Sequence, residues 1–332
     1  MNRVYKITFI SIIIVYLVIL AGGIVRMTGS GMGCPDWPKC FGFLIPPTER
    51  SQLEWKPNSE YNKNQIIIID KNLYYSVKSF NSKEDFNRSN WNKYTKHDYS
   101  KFNVYHTWIE YINRLIGALA GLSVLMLFLY SMKFFKSKKI ITFLSFLSLI
   151  AILFQAWLGK TVVDSNLTAS TITIHMLMAI VLLFILFSIL AISKPVKPIR
   201  IPRNISTLIL ISMVLLIIQV LTGTEVRKFI DLQMEMYNYN EKNKWIENIT
   251  STFNFHRSFS WAIIIINSII YLKIKEIDLK SNLIYIINGI IMYYFHFPFT
   301  SQPIHLLIST LIIGLQFYFL ILYNLKTNAT KI

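Results

Sequence analysis

The sequence predicts an all-α integral membrane protein whose eight transmembrane helices form two parallel four-helix repeats, with a long outer loop between the first two helices. Three observations lead to this fold class. Only 15% of the 332 residues are charged, against about 25% in an average soluble protein. Apolar stretches of roughly 17 to 25 residues, enough to cross the hydrocarbon of a bilayer, recur along the chain. The two halves of the chain also share motifs.

Eight apolar stretches are the candidate membrane spans, and the seventh is the shortest. They cover residues 7–25, 108–132, 140–162, 171–193, 206–226, 255–272, 282–297 and 303–323. The first stretch has the basic flank of a signal peptide, but it is long for one and lacks a small-residue cleavage site. We therefore expect it to remain as a helix.

The positive charges of the chain lie beside the candidate spans. A net charge of +17 is compatible with nucleic-acid binding, but the positions of the cations argue against that class. With a cytoplasmic N-terminus, the inner segments hold fifteen Lys and Arg and two acids, Glu276 and Asp278. Because this excess follows the positive-inside rule, we expect both termini in the cytoplasm, lipid around the helices and no nucleic-acid partner.

Residues 44–104 form the outer loop, which is polar and rich in Asn, Lys and Tyr. We expect a short strand at 65–70, around the apolar run IIII at 66–69. Since this run is the loop's one apolar patch, we expect the loop to pack on the outer face of the bundle without a core of its own.

The two halves of the chain repeat short motifs at the ends of their helices. Residues 22–26 (GGIVR), at the end of the first span, match 223–227 (GTEVR) at the end of the fifth. The third and fifth spans share Gln-x-x-x-Gly, at 155–159 and 219–223. Four crossings return the chain to its starting side, so the repeats are parallel. The N-terminal half is residues 1–198 and the C-terminal half is 199–332.

The alignment of the halves also pairs polar residues inside the membrane. Asn113 in the second span aligns with His256 in the sixth, and His175 in the fourth aligns with His305 in the eighth. Ionisable residues at membrane depth usually face a functional site, although each histidine alone could simply bond a neighbouring helix. Two imidazoles from facing helices suit axial ligation of heme iron. No carboxylate or thiol accompanies His256 or His305 at the spacing of a zinc or iron site.

Arg114 and Arg257 each follow one of these aligned positions, near the outer membrane boundary. Their matching places in the two halves favour pairing with the propionates of a heme. The alternative is an arginine that reaches from the helix to the membrane surface without binding a ligand.

Cys34 and Cys40, the two cysteines of the chain, lie outside the membrane in a glycine-rich segment after the first span. The glycines allow a sharp turn, and their backbone N–H groups could bind an anion such as a propionate. Oxidation is permitted outside the membrane, and five residues separate the two cysteines, so we expect a disulfide between them. A redox-active dithiol is the alternative. Two thiols without a nearby His are too few for a metal site.

Four segments together resemble heme A synthases. They are ILAGGIVRMTGSGMGCPDWPKCFG at 19–42, HTWIEYINRLIGALAG at 106–121, FQAWLGKTVV at 154–163 and TGTEVRK at 222–228. The resemblance covers both halves and the spacing of all eight spans. The Gly-Ser-Gly and Cys-Pro-Asp-Trp-Pro element of the first segment is not a generic membrane pattern.

The resemblance implies an enzyme of a bacterial-type inner membrane that oxidises the C8 methyl of heme O to the formyl of heme A for a terminal oxidase. It implies heme b as the cofactor, held by His256 and His305 in the C-terminal half near the outer face. The N-terminal half would bind heme O through His175. An electron donor is implied, and contact with a heme O synthase and homo-oligomerisation are left open. The family also carries a similar pair of outer-loop cysteines.

The chain departs from the family at its first site. The family motif is Glu-x-x-His-Arg, whereas this chain has Glu110, Asn113 and Arg114 in those places. Asn is a poor axial ligand, so we expect His175 as the one firm ligand to the substrate heme. His106 lies seven residues before Asn113, roughly 10 Å along a helix, and could replace the ligand only if the helix shifts or begins late.

Glu110 is the acid of the second span and corresponds to the family's carboxylate. It could position water, relay protons or orient an oxidised intermediate. The alternative is an interfacial Glu that pairs with Arg114 four residues later.

Three function classes remain open on the sequence. Heme A synthase is the leading one, because Glu110 and the cysteine segment favour an enzyme. A heme b electron-transfer cytochrome is the alternative, and Asn113 favours it. A transporter is the third, but the polar residues lie near the outer surface and no central pathway of charges is visible.

Overall fold

The computed structural model describes residues 1–95, 102–193, 202–237, 240–246, 250–273 and 301–329. Seven long helices lie within these residues. They are α1 (Asn2–Met27), α2 (Val104–Ser131), α3 (Lys139–Asp164), α4 (Ala169–Ser193), α5 (Arg203–Met236), α6 (Ser251–Lys273) and α7 (Ser301–Ala329).

Six of these helices, all except α6, are long and apolar enough to cross a membrane. The mostly helical, multi-pass character predicted from the sequence is therefore confirmed. Helix α6 covers the sixth candidate span, and the seventh candidate span, 282–297, lies outside the described residues. The arrangement as eight spans in two parallel repeats stays a prediction.

Helix ends differ from the predicted spans where polar side chains extend the helices. The Asn103 side chain accepts hydrogen bonds from the backbone N–H groups of Tyr105 and His106, so α2 begins at Val104, before the span predicted from 108. His106 therefore lies in the first turn of α2. The late start that would bring it to the place of Asn113 is not observed.

The first four helices pack as a ring, in which α1 contacts α2 and α4, and α3 contacts α2 and α4. Helix α7 packs against α1, α4 and α5, and α6 packs against α5. One apolar core fills the ring and reaches α7, with Leu127 and Leu186 fully buried in it. A second core joins α4 to α5, α6 and α7 through Ile180, Leu216 and Ile313.

The outer loop contains two small antiparallel sheets. Strands β2 (Ile66–Ile69), β3 (Asn72–Ser76) and β5 (Trp91–Lys93) form one, and β1 (Glu60–Tyr61) and β4 (Phe80–Asn81) form the other. The strand expected at 65–70 is thus confirmed as β2.

The expectation that the loop has no core of its own is wrong. Tyr61, Ile67 and Trp91 are buried together, and the Tyr61 and Trp91 ring centres are 5.0 Å apart. Tyr61 and Trp91 stand between polar residues in the sequence, and packing of the two sheets brings them against Ile67. This core is therefore not visible as a continuous apolar patch in the sequence.

Candidate functional site

His256 on α6 and His305 on α7 face each other near the start of their helices. Their ring centres are 6.4 Å apart, with 62° between the ring planes. A metal–imidazole bond is about 2 Å long and the ring centre lies about 1 Å beyond the nitrogen, so one metal atom between two imidazoles separates their centres by about 6 Å. The observed spacing therefore fits two axial ligands of a heme iron.

Helix α5 holds His256 in place by three contacts. The Thr222 hydroxyl lies 3.1 Å from His256 Nδ1, and the Gln219 amide donates to the His256 carbonyl at 2.6 Å. A Cβ on Gly223 would lie 3.0 Å from His256 Cε1, so only glycine gives the ring full room. Because the hydroxyl occupies Nδ1, Nε2 is the nitrogen left for a ligand.

Helix α3 makes the same kind of contacts with His175 on α4. The Gln155 amide donates to the His175 carbonyl at 2.9 Å, and a Cβ on Gly159 would lie 3.5 Å from His175 Cε1. Among the described residues, no side chain or backbone group bonds the buried His175 Nδ1. The histidines of α4 and α6 are thus each seated on a Gln-x-x-x-Gly segment of the preceding helix.

Sequence reasoning used the Gln-x-x-x-Gly segments only as markers of the repeat and did not assign them to the site. It missed Thr222, Gln155, Gln219 and the glycines as neighbours of the histidines. The signal was present, since both segments precede a histidine-bearing span. The sequence does not show how each helix is rotated about its axis, and this rotation turns the Gln and Gly toward the histidine of the following helix.

Glu110 is buried, with 3% of its surface exposed. It accepts a hydrogen bond from the Cys34 backbone N–H at 2.8 Å and from Arg114 Nη2 at 2.5 Å. Arg114 Nη1 also donates to the carbonyls of Asp36 and Lys39, both at 2.8 Å. The ion pair left open by the sequence is present, and in this structure Arg114 connects Glu110 to the outer turn.

Cys34 and Cys40 form a disulfide, which confirms the predicted bond. Within the turn that it closes, the Asp36 carboxylate accepts hydrogen bonds from the backbone N–H groups of Phe41 and Gly42, at 2.6 and 2.8 Å. Burial raises the pKa of the Asp36 carboxyl, and the two backbone bonds oppose that shift. The outer turn is therefore an ordered element that holds Glu110 and Arg114.

The outer turn also packs tightly on α2 and on the loop. A Cβ on Gly33 would lie 2.4 Å from the His106 carbonyl oxygen, and the Thr107 hydroxyl donates to the Gly33 carbonyl at 2.8 Å. The Tyr94 hydroxyl donates to the Pro35 carbonyl at 2.5 Å. Burial, with the nearby Asp36 and Asp164 charges, raises the pKa of Tyr94 to about 12.

Asn113 lies one turn after Glu110 on α2 and is partly buried. Its Oδ1 is buried and has no hydrogen-bond partner among the described residues.

Arg257 is exposed on α6 beside His256. No group of three His, Cys, Asp or Glu side chains that could hold a bare metal ion occurs in the described part of the chain.

A charged cluster joins the ends of α1 and α5. Asp231 pairs with Arg26 at 3.0 Å and also with Arg227, and Arg227 donates to the Arg26 carbonyl at 3.2 Å. The predicted fifth span ends at 226, but α5 continues to Met236. The apolar pattern marks only the membrane-spanning part of α5, so it missed this extension and Asp231.

Comparison with known proteins places these features in one family. Residues 5–72 and 80–317 match the COX15-CtaA family model, described as cytochrome oxidase assembly protein. A heme A synthase of Wolbachia pipientis wMel is 25% identical over 97% of this chain and 93% of its own length.

Two further relatives carry the same name. A heme A synthase of Rickettsia prowazekii is 23% identical over 95% of this chain and 96% of its own length. One of Shewanella oneidensis is 27% identical over 64% of this chain and 54% of its own length. The matched regions contain the facing histidines, the disulfide turn and the Gln-x-x-x-Gly segments. The chain belongs to the COX15-CtaA family of cytochrome oxidase assembly proteins, as its resemblance to heme A synthases predicts.

Proposed function

We propose that this protein is a heme A synthase, a membrane oxidoreductase that converts the C8 methyl of heme O into a formyl group. The observation that carries the proposal is the pair His256 and His305, whose ring centres are 6.4 Å apart in a chain whose relatives are named heme A synthase. The spacing supports a resident heme, and the family supports a second heme as substrate.

The proposed architecture is two parallel four-helix halves, residues 1–198 and 199–332, with both termini in the cytoplasm and the heme sites near the outer face. The matched contacts of Gln155 with His175 and of Gln219 with His256 support related sites in the two halves. The packing of α7 and α5 against α1 and α4 forms the contact between the halves.

In the C-terminal half, His256 and His305 are the residues that would hold heme b, one imidazole from α6 and one from α7. Thr222 fixes His256 through Nδ1 and leaves Nε2 for the iron, and Arg257 is the cation proposed to pair with a propionate. When bound, heme b would carry electrons one at a time. Thr222 and Gln219 hold His256 in place, and Gly223 leaves room for its ring.

In the N-terminal half, His175 is the proposed ligand of the substrate heme, and Asn113 and Arg114 line the same site. Oxidising a methyl to a formyl group with oxygen from water releases four protons and four electrons, which must pass to an external electron acceptor. A positioned proton acceptor near the carbon would assist this reaction. Glu110 is the proposed acceptor, because Arg114 and the Cys34 N–H hold its carboxylate in one orientation. The disulfide turn thus orients the catalytic carboxylate.

The deciding experiment is heme extraction from cells that coexpress the protein with a heme O synthase. Wild type is expected to yield heme A. His175→Ala is expected to abolish it, and Glu110→Ala is expected to lower the ratio of heme A to heme O by about a hundredfold or more, the lower range of general acid–base catalysis. Equal ratios in wild type and His175→Ala would refute the N-terminal site.

Asn113 and His106 provide matched controls on α2. Asn113→Ala is expected to keep substantial activity, because the amide is a weak ligand. His106→Ala is expected to behave likewise, since α2 begins before His106 and keeps it about two turns from Asn113. A loss in His106→Ala as large as in His175→Ala would make His106 the second ligand.

A second candidate function is a heme b electron-transfer cytochrome that oxidises no substrate. The presence of Asn113 where the family has histidine, and the engagement of Arg114 by the outer turn, favour it. The same extraction separates the two functions, because a cytochrome would bind heme b and leave heme O unchanged.

A further inference from the structure

Three buried polar side chains meet inside the C-terminal half, away from the histidines. The Asn267 amide on α6 donates to the Ser212 hydroxyl on α5 at 3.1 Å. The Gln316 amide on α7 donates to the same hydroxyl at 3.0 Å and to Asn267 Oδ1 at 2.8 Å. All three side chains are buried: Ser212 is 0% exposed, Asn267 6% and Gln316 7%. This polar triad joins three helices by hydrogen bonds in an apolar surrounding.

The triad has a fixed relation to the two histidines. Asn267 follows His256 by eleven residues, and Gln316 follows His305 by eleven residues. Eleven residues are close to three helical turns, about 16 Å, so each pair lies on one face of its helix. Where α6 and α7 turn their amides toward each other, the same rotation turns their imidazoles toward each other.

The N-terminal half has no such triad at the matching positions. Eleven residues after Asn113 is Val124, and eleven residues after His175 is Leu186. Both are fully buried in the apolar core. Apolar contacts tolerate small rotations and sliding, whereas amide hydrogen bonds require particular directions and distances.

We propose that Ser212, Asn267 and Gln316 are positioning residues that set the rotation and register of α6 and α7 and so hold His256 and His305 at ligand distance. This inference rests on the proposed heme b site. A slip of either helix by one turn would move its histidine by about 5.4 Å and separate the pair. The triad therefore helps the C-terminal site to retain its heme. The N-terminal half has apolar residues at the matching positions, lacks this constraint and suits a heme that enters and leaves.

The test follows heme bound to the purified full-length protein, through its low-spin spectrum and its rate of transfer to apomyoglobin. Ser212→Ala removes the shared acceptor with little change in volume. Since Ser212 accepts two interhelical hydrogen bonds, and each such bond in a membrane is worth roughly three- to twentyfold in an equilibrium, we expect heme transfer to be at least about threefold faster, together with a high-spin fraction. Asn267→Leu and Gln316→Leu should change both readouts in the same direction.

Two further variants separate positioning from general loss of structure. Ser212→Thr keeps the hydroxyl acceptor and is expected to restore the low-spin spectrum. Ser148→Ala removes a buried hydroxyl that bonds within α3, at 2.8 Å to the Ser145 carbonyl, and is expected to leave heme transfer unchanged. If the leucine variants do not fold, the comparison of Ser212→Ala with Ser212→Thr decides.

An unchanged spin state and transfer rate in Ser212→Ala, with wild type binding low-spin heme, would overturn the role of the triad and leave the proposed function intact. Failure of Ser212→Thr to differ from Ser212→Ala would also overturn it. A wild-type protein that takes up no heme would refute the proposed function, and this inference with it.

Discussion

Gly223 and Gly159 show how one missing side chain decides the place of a histidine. A Cβ at Gly223 would lie 3.0 Å from His256 Cε1, which forces the ring to move, whereas a Cβ at Gly159 would lie 3.5 Å from His175 Cε1 in ordinary contact. The two glycines occupy matching positions in Gln-x-x-x-Gly segments but leave different amounts of space. His256 is also fixed through Thr222, so it cannot move without breaking that hydrogen bond.

The residue-scale prediction compares Gly223→Ala with Gly159→Ala. Gly223→Ala is expected to displace His256 and to change the low-spin spectrum of the bound heme. The ring must give way by a few tenths of an ångström or lose its bond to Thr222, which contributes about 1 kcal/mol. Gly159→Ala is expected to fold normally and to keep that spectrum. Optical and paramagnetic resonance spectra of the two purified variants are the measurement, and identical spectra would contradict the prediction.

At the scale of elements, the outer turn and α2 form one unit. The disulfide closes the turn, Asp36 bonds two of its backbone N–H groups, and Arg114 reaches from α2 to the carbonyls of Asp36 and Lys39. Through this arginine, a loop outside the membrane sets the orientation of the carboxylate of Glu110. A planar guanidinium can donate to several fixed acceptors at once, and an ammonium group cannot match that geometry.

The element-scale prediction is that Arg114→Lys keeps the charge but loses function. We expect the ratio of heme A to heme O to fall by about tenfold or more, since hydrogen bonds of charged groups contribute about 1.5–3 kcal/mol. The heme bound in the C-terminal half is the internal control, and we expect its low-spin spectrum to be unchanged. An unaltered ratio in Arg114→Lys would show that the charge alone is sufficient.

At the scale of the whole molecule, the N-terminal half supports the helix that carries His305. Helix α1 meets α7 at Gly23, where a Cβ would lie 2.9 Å from Pro303 Cβ, and at Gly314, where it would lie 2.3 Å from the Tyr16 hydroxyl. Tyr16 donates to the Thr310 carbonyl at 3.2 Å. The cluster of Arg26, Arg227 and Asp231 joins the C-terminal end of α1 to the last turns of α5. The proposed cofactor site therefore depends on contacts from the other half.

The whole-molecule prediction uses Gly314→Ala. The added methyl would overlap Tyr16 and Phe187, so we expect a loss of about 1–3 kcal/mol of stability and earlier heme release on heating, although Gly314 lies more than two turns from His305. Gly121→Ala is the matched control, because a Cβ there meets nothing within 4 Å. Thermal unfolding followed by heme absorbance measures both. A melting temperature for Gly314→Ala equal to that of Gly121→Ala would show that the halves are not coupled through this contact.

The sequence alone determined the features that depend on local pattern. Apolar length predicted helices that could cross a membrane, and six helices of the described residues are long and apolar enough to do so. The apolar run at 66–69 predicted β2. The two cysteines with their short spacing predicted the disulfide. Such features follow from the properties of consecutive residues, so they can be read without knowing the fold.

Tertiary structure decided the contacts between residues that are distant in sequence. The aromatic core of the outer loop, the engagement of Arg114 by the outer turn, the seating of His256 on Thr222 and the triad of Ser212, Asn267 and Gln316 all depend on helix rotation and strand pairing. A sequence gives the period of each helix but not its angle about its own axis, which packing against neighbours decides. For that reason the histidines could be predicted as a pair, while the residues that hold them in place appeared only when the helices were assembled.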